Sequence, residues 1–210
     1  GIKIGMVTNG TLLDRVDRHT LEMIQWCRIS SNAVPFDDSY VRILDKAVQA
    51  DVDWAFSYVV VRHPDIAEIA RIVDYAEKHD FTHVRLVGDL REPHEIDWSP
   101  IREALSDRNG LVVYQERKQF SPARQCLLGY VKPSIAPDWN MYPCCGVQYA
   151  LEEMTLDNPP ELCMGDARDL DVIYNGDKRP LDVRCVRCYY EQYNVALKAL
   201  TSDISHREFI

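Results

Sequence analysis

At 210 residues and 46% hydrophobic content, the chain is long enough for one large domain or two modest ones with buried cores. Its 33 acidic and 24 basic residues give a net charge of −9, which excludes a global basic field and with it general nucleic-acid binding. No apolar run approaches the ~18–20 residues of a membrane helix, and the first residues lack the charged-then-apolar order of a signal peptide, so the expected location is cytoplasmic, with no membrane partner.

The opening "IKIGMVTN" alternates apolar and polar residues up to Asn9-Gly10, which predicts a strand. "TLLDRVDRHTLEMIQW" carries apolar residues at helical intervals and predicts a helix. "CRISSNAV" is rich in β-formers. After the turn at 35–38, "SYVRILDKAVQA" is again helical, with Ser39 expected as its N-cap. "WAFSYVVV" reads as a strand buried on both faces, and "HPDIAEIARIVDYAEKHD" as a helix starting at Pro64. "THVRLVGDL" closes a third strand–helix–strand step. This alternation implies parallel β/α units, as in a doubly wound sheet or a β/α barrel, with ligands at the carboxyl ends of the strands.

From about Arg91 the pattern breaks. A short helix follows Ser99-Pro100, and "LVVYQERKQ" is a further strand. The region from Cys126 is irregular and proline-rich, with "KPSIAPDWNMYPCCGV" expected as a hairpin. Of seven cysteines only Cys27 lies in the first 125 residues. Their odd number and the reducing cytosol favour metal binding over a disulfide framework. Cys185 and Cys188 form a C-x-x-C pair. Together with Cys126 and one of Cys144 or Cys145 they supply four thiolates, enough for one Zn²⁺ or one [4Fe–4S] cluster, between which the spacing does not choose. A thioredoxin-like use of the pair is disfavoured, because nothing before Cys185 resembles the strand that should lead into it.

The order of "VTNGTLL", "CRISSNA", "VVVRHPDIAEI" and "HVRLVG", then Cys126, "PDWNMYPCC", "MGDARDLDVIYN" and "CVRCYYEQYN", resembles a radical S-adenosylmethionine (radical SAM) enzyme with a SPASM/twitch-type auxiliary-cluster tail. The resemblance implies an α/β fold: a partial radical-SAM-type (β/α) barrel over residues 1–120 and a small cysteine-rich SPASM/twitch-like domain over 121–210. It implies an auxiliary [4Fe–4S] cluster on Cys126, Cys144, Cys185 and Cys188, the G-x4-C offset pointing to Cys144. It also implies SAM contacts at Asn9, Ser30 and Arg62, and radical modification of a peptide or small-molecule substrate. The family's C-x3-C-x2-C loop is absent, as is the Gly-Gly-Glu-like motif of its second strand. The expectation is therefore a chain lacking its N-terminal segment, or one that works with a companion chain. Trp139 stands where the family's hairpin has Gly.

No catalytic residue is assigned. Asn9 is equally a turn residue; the alternative for Ser30 is a helix cap or loop hydrogen bond, and for Arg62, with His63 beside it, a salt-bridged strand-end cation. Cys27 and Cys163 read as structural, and His79, His83 and His94 as surface residues. Asp166 is expected to cap the segment after Gly165, the tyrosines of "YYEQYN" to pack over the cluster, and Asn194 to start or order a helix. The competing reading is a non-catalytic β/α binding or scaffold module whose tail is stapled by zinc on four cysteines.

Overall fold

The computed structural model describes residues 3–32, 34–89, 96–108, 110–116, 120–152, 157–175 and 181–201, so His94 lies outside the described residues. The chain divides into two compact units, Gly1–Lys118 and Gln119–Ile210.

In the first unit β1 (Gly5–Thr8), β2 (Trp26–Ser30), β3 (Asp53–Val60), β4 (His83–Gly88) and β5 (Val112–Gln115) form one sheet in the order β1-β2-β3-β4-β5, with every pair parallel. The crossovers contain α1 (Arg18–Glu22), α2 (Asp38–Ala47), α3 (Ile66–Lys78) and α4 (Ser99–Ala104). Parallel neighbours require such crossovers. Strand order follows chain order without reversal, so crossovers of one hand bring their helices to one face. A doubly wound sheet needs a reversal that these strands lack.

The covered face is the core. On β3, Trp54, Phe56, Tyr58 and Val60 pack with Tyr40 and Leu44 of α2 and with Ile69, Ile72, Val73 and Ala76 of α3. Phe56 stacks on Phe81 at 4.7 Å and meets Phe36 edge-on at 5.9 Å. Each fully buried aliphatic side chain of α3 contributes roughly 1.5–3 kcal/mol. The alternate positions of the same strands carry several polar side chains. Arg28, Ala55 and His83 stand in one cross-strand row, and Arg85 on the next donates from Nε and Nη2 to Ser57 Oγ at 3.3 and 3.1 Å. Burial, then the charges of Arg28 and Arg85, lower the pKa of His83.

Three local expectations change. The segment after β1 is a single 3-10 turn (Leu13–Arg15) followed by the five-residue α1, because Asp17 leaves helical geometry and caps the second piece by accepting from Thr20 N at 3.0 Å. The N-cap of α2 is Asp37, whose Oδ1 accepts from the backbone N–H groups of Ser39 and Tyr40 at 2.9 and 3.0 Å; Ser39 is inside the helix. In α3 the cap is Asp65, bonded by Glu68 N at 2.9 Å, which leaves Pro64 outside.

The second unit pairs β6 (Ser121–Cys126) with β10 (Leu181–Cys188), antiparallel. Beside that ribbon is a three-stranded sheet of β7 (Ser134–Ile135), β8 (Asn140–Tyr142) and β9 (Gly165–Asp166), with helices α5 (Leu170–Asn175) and α6 (Glu191–Thr201). Its buried cluster is modest, comprising Cys126, Leu128, Tyr142, Val147, Ala150, Leu162 and Val183. Contrary to the sequence expectation, Cys185 sits within a strand, because Leu181, Val183 and Cys185 alternate inward with exposed Asp182 and Arg184 between them. Among the described residues no helix is long and apolar enough to cross a membrane.

Candidate metal centre

Residues three apart on a regular strand point to opposite faces, so a C-x-x-C pair on a strand should be split. β10 avoids this with a register shift. Cys185 opposes Ala123 and Cys188 opposes Ser121, three residues against two, and the extra residue is absorbed as a bulge. Ser121 and Ala123 share a face of β6, so Cys185 and Cys188 share one as well.

Cys126 ends β6, and Cys144 lies in the turn that follows β8. Together with Cys185 and Cys188 they line one apolar cavity, to which Tyr190 and Asn194 also contribute. All are free thiols. Burial first, and then the neighbouring thiols, push Cys144 and Cys185 up to about 12, with the backbone of Gly146 acting in the opposite direction at Cys144. Cys188 is raised as well, by burial first, with the backbone of Tyr190 acting in the opposite direction. Burial thus favours the protonated thiol at all three. As they stand, no group of three or more His, Cys, Asp or Glu among the described residues is arranged to hold a metal ion. Loading therefore requires deprotonation and closure of the four sulfurs. The donor set fits a thiolate-ligated centre, since four free sulfurs share one apolar cavity.

Two residues bring these segments together. Asn194 of α6 is 6% exposed, and its Oδ1 accepts from Leu127 N and Leu128 N at 3.0 and 3.1 Å, fixing the chain just after Cys126. Its Nδ2 faces Cys188 Sγ at 3.9 Å. Gly129 lies where a Cβ would stand 2.8 Å from Leu181 Cδ1 and 3.1 Å from the backbone of Pro143, so glycine lets this turn approach the residue before Cys144 without pressing on its backbone. Cys145 is exposed and turned toward Tyr190, Sγ to Oη 3.2 Å. Cys163 faces the Gly165 carbonyl at 3.9 Å, and Cys27 is fully buried in the first unit, pushed up to about 12 by burial.

The hairpin that delivers Cys144 turns at 136–139, with Trp139 N donating to Ala136 O at 3.0 Å. Trp139 has φ +68, the left-handed conformation that glycine adopts without strain. Gly165 has φ +131, and Asp166 caps the next turn by accepting from Arg168 N at 2.8 Å. The Asp166 carboxyl is held down to about 2, first by the Arg168 side chain and then by its backbone N–H.

In the first unit, Asn9, Ser30 and Arg62 fall at the carboxyl ends of the adjacent strands β1, β2 and β3. Asn9 Oδ1 is engaged in a turn, accepting from Thr11 N at 3.1 Å and Thr11 Oγ1 at 2.9 Å, while its carbonyl accepts from Tyr40 Oη at 2.7 Å. Ser30 is half-buried and Arg62 exposed. Asn32, just beyond β2, extends the pairing with a side chain: Oδ1 accepts from Val59 N at 2.5 Å and Nδ2 donates to Val59 O at 2.9 Å. Sequence reasoning gave no contact role to Asn194, Gly129 or Asn32. Their partners lie far along the chain for the first two and on the next strand for the third, and no local pattern encodes those distances.

No family model matches the chain, and no curated protein matches it. Among solved structures it is similar to the crystal structure of Streptococcus suis SuiB, at 13% identity and TM-score 0.49 over 83% of this chain and 49% of that one. It is also similar to SuiB bound to S-adenosylmethionine, at 14% identity and TM-score 0.47 with the same coverage. The chain thus spans about half the length of the solved structures it matches.

Proposed function

We propose that this chain is the C-terminal portion of a radical SAM enzyme acting on a peptide or small-molecule substrate, with an auxiliary [4Fe–4S] cluster held by Cys126, Cys144, Cys185 and Cys188. The observation that carries the reading is the meeting of four free thiols, from three separated segments, in one apolar cavity of the second unit. A bound cluster of this type supplies electron transfer or a coordination point for substrate.

The chain's own residues prepare that site. Asn194 holds the segment after Cys126 and presents an amide N–H to Cys188, which stabilises a thiolate there. Tyr190 and the aliphatic wall exclude water. In the first unit, Ser30 and Arg62 offer a hydroxyl and a cation to the polar groups of SAM, and Asn9 retains its Nδ2. The reading requires a preceding segment or a companion chain to supply the C-x3-C-x2-C loop, which these 210 residues do not contain.

The test is metal and sulfide analysis with a visible spectrum on protein purified without oxygen, beside Cys185→Ala and Cys188→Ala. About four irons and four sulfides per chain, with absorbance lost in both variants, is the expected result. About one zinc and no visible absorbance would replace the cluster with a structural staple and remove the enzymatic reading of this unit.

A further inference from the structure

Asn194 lines two hollows of the second unit: the cysteine cavity, and a cleft of about 480 Å³ among β6, β10 and α6. Helical spacing brings Glu191, Asn194 and Lys198 to one side of α6. The strands supply Arg124 and Gln125 from β6 and Asp182 from β10. Two cations and two carboxylates therefore share one cleft. Among the described residues none of the four is in an ion pair. Lys198 Nζ donates to Gln125 Oε1 at 3.3 Å, not to a carboxylate. Glu191 Oε2 is withdrawn from solvent without a hydrogen-bond donor.

Arg124, Lys198 and Asp182 are exposed along the walls of this cleft. A ligand of one sign would be repelled by half of the charged wall. A ligand bearing both signs meets all of it, and the volume lies within the range of small-molecule sites, roughly 300–1,000 Å³. We propose that this cleft binds a small zwitterion, a molecule with a free ammonium and a free carboxylate such as an amino acid or a short peptide. Its carboxylate lies at Arg124 and Lys198 and its ammonium at Asp182. The proposal does not depend on which metal the cysteines hold, or on the radical SAM reading.

The experiment is calorimetric titration of the full chain with L-alanine, L-alanyl-L-alanine, the N-acetyl dipeptide and the dipeptide amide. The expected result is binding of a free zwitterion, with each capped dipeptide weaker by about tenfold or more. Asp182→Asn should abolish the penalty for acetylation, and Arg124→Gln with Lys198→Gln the penalty for amidation, with circular dichroism confirming the fold of each variant. Binding of alanine identifies a free amino acid as the ligand class; binding of the dipeptide alone identifies a peptide with both termini in the cleft. Equal affinity for free and capped forms, or no binding of either zwitterion to the folded chain, overturns the proposal.

Discussion

Asn194 does three things with one side chain, so its variants should separate them. Asn194→Ala leaves the N–H groups of Leu127 and Leu128 without their acceptor, and the expected loss in stability is about 2 kcal/mol or more, read from urea unfolding. Asn194→Asp keeps the acceptor but sets a carboxylate beside Cys188, so it should unfold near the native midpoint yet load less metal. Equal loading in the native protein and this variant would remove the residue from the metal site. Trp139 makes the opposite prediction. Its left-handed φ is unfavourable for any side chain other than glycine's, and its indole is 55% exposed, so little packing is lost on truncation. Trp139→Gly should raise stability by about 0.5–1 kcal/mol, and a fall of that size would contradict the strain argument. The sequence already marked this position through the glycine expected there. Asn194 carried no such mark, because its acceptor role joins positions 66 and 67 residues apart.

At the level of elements, legibility followed the range of the forces involved. β3 and α3 were readable because a continuous apolar run and an apolar stripe at helical spacing are local statements of burial. The starts of α2 and α3 were misplaced by one or two residues: Asp37 rather than Ser39 accepts the first free N–H groups of α2, and Asp65 caps α3 one residue after the expected start at Pro64. β10 was missed because its alternation is interrupted by the bulges that bring Cys185 and Cys188 to one face. The turn after β6 was also silent, since the value of Gly129 lies in who its neighbours are. Gly129→Ala inserts a Cβ 3.1 Å from the Pro143 backbone, which cannot rotate away as the Leu181 side chain can. The expected cost is about 1–3 kcal/mol, with a loss of metal loading larger than that of an exposed control such as Lys132→Ala. Unchanged loading would mean that the two segments are not held by that approach.

At the scale of the molecule, the two units differ in what holds them. The first has a continuous core between a parallel sheet and its helices, whereas the second has a modest buried cluster that includes Cys126 and against which Cys144 and Cys185 pack. Metal removal should therefore act unevenly. Hydrogen exchange after chelation is expected to lose protection in β6 and β10 while β3 and β4 stay as they were; a uniform loss across both would refute this. The pairing of β6 with β10 has a consequence in time. It closes a loop from residues 121–126 to 181–188, whereas strands of the first unit meet neighbours that have just been made. Long closures are slow, and Cys185 and Cys188 leave the ribosome only after the intervening residues 127–184. Cys126 and Cys144 thus wait without their partners during synthesis. The growing chain is most vulnerable to oxidation in that interval, and metal delivery to the proposed centre would have to follow the emergence of α6, whose Asn194 fixes the first of the waiting segments.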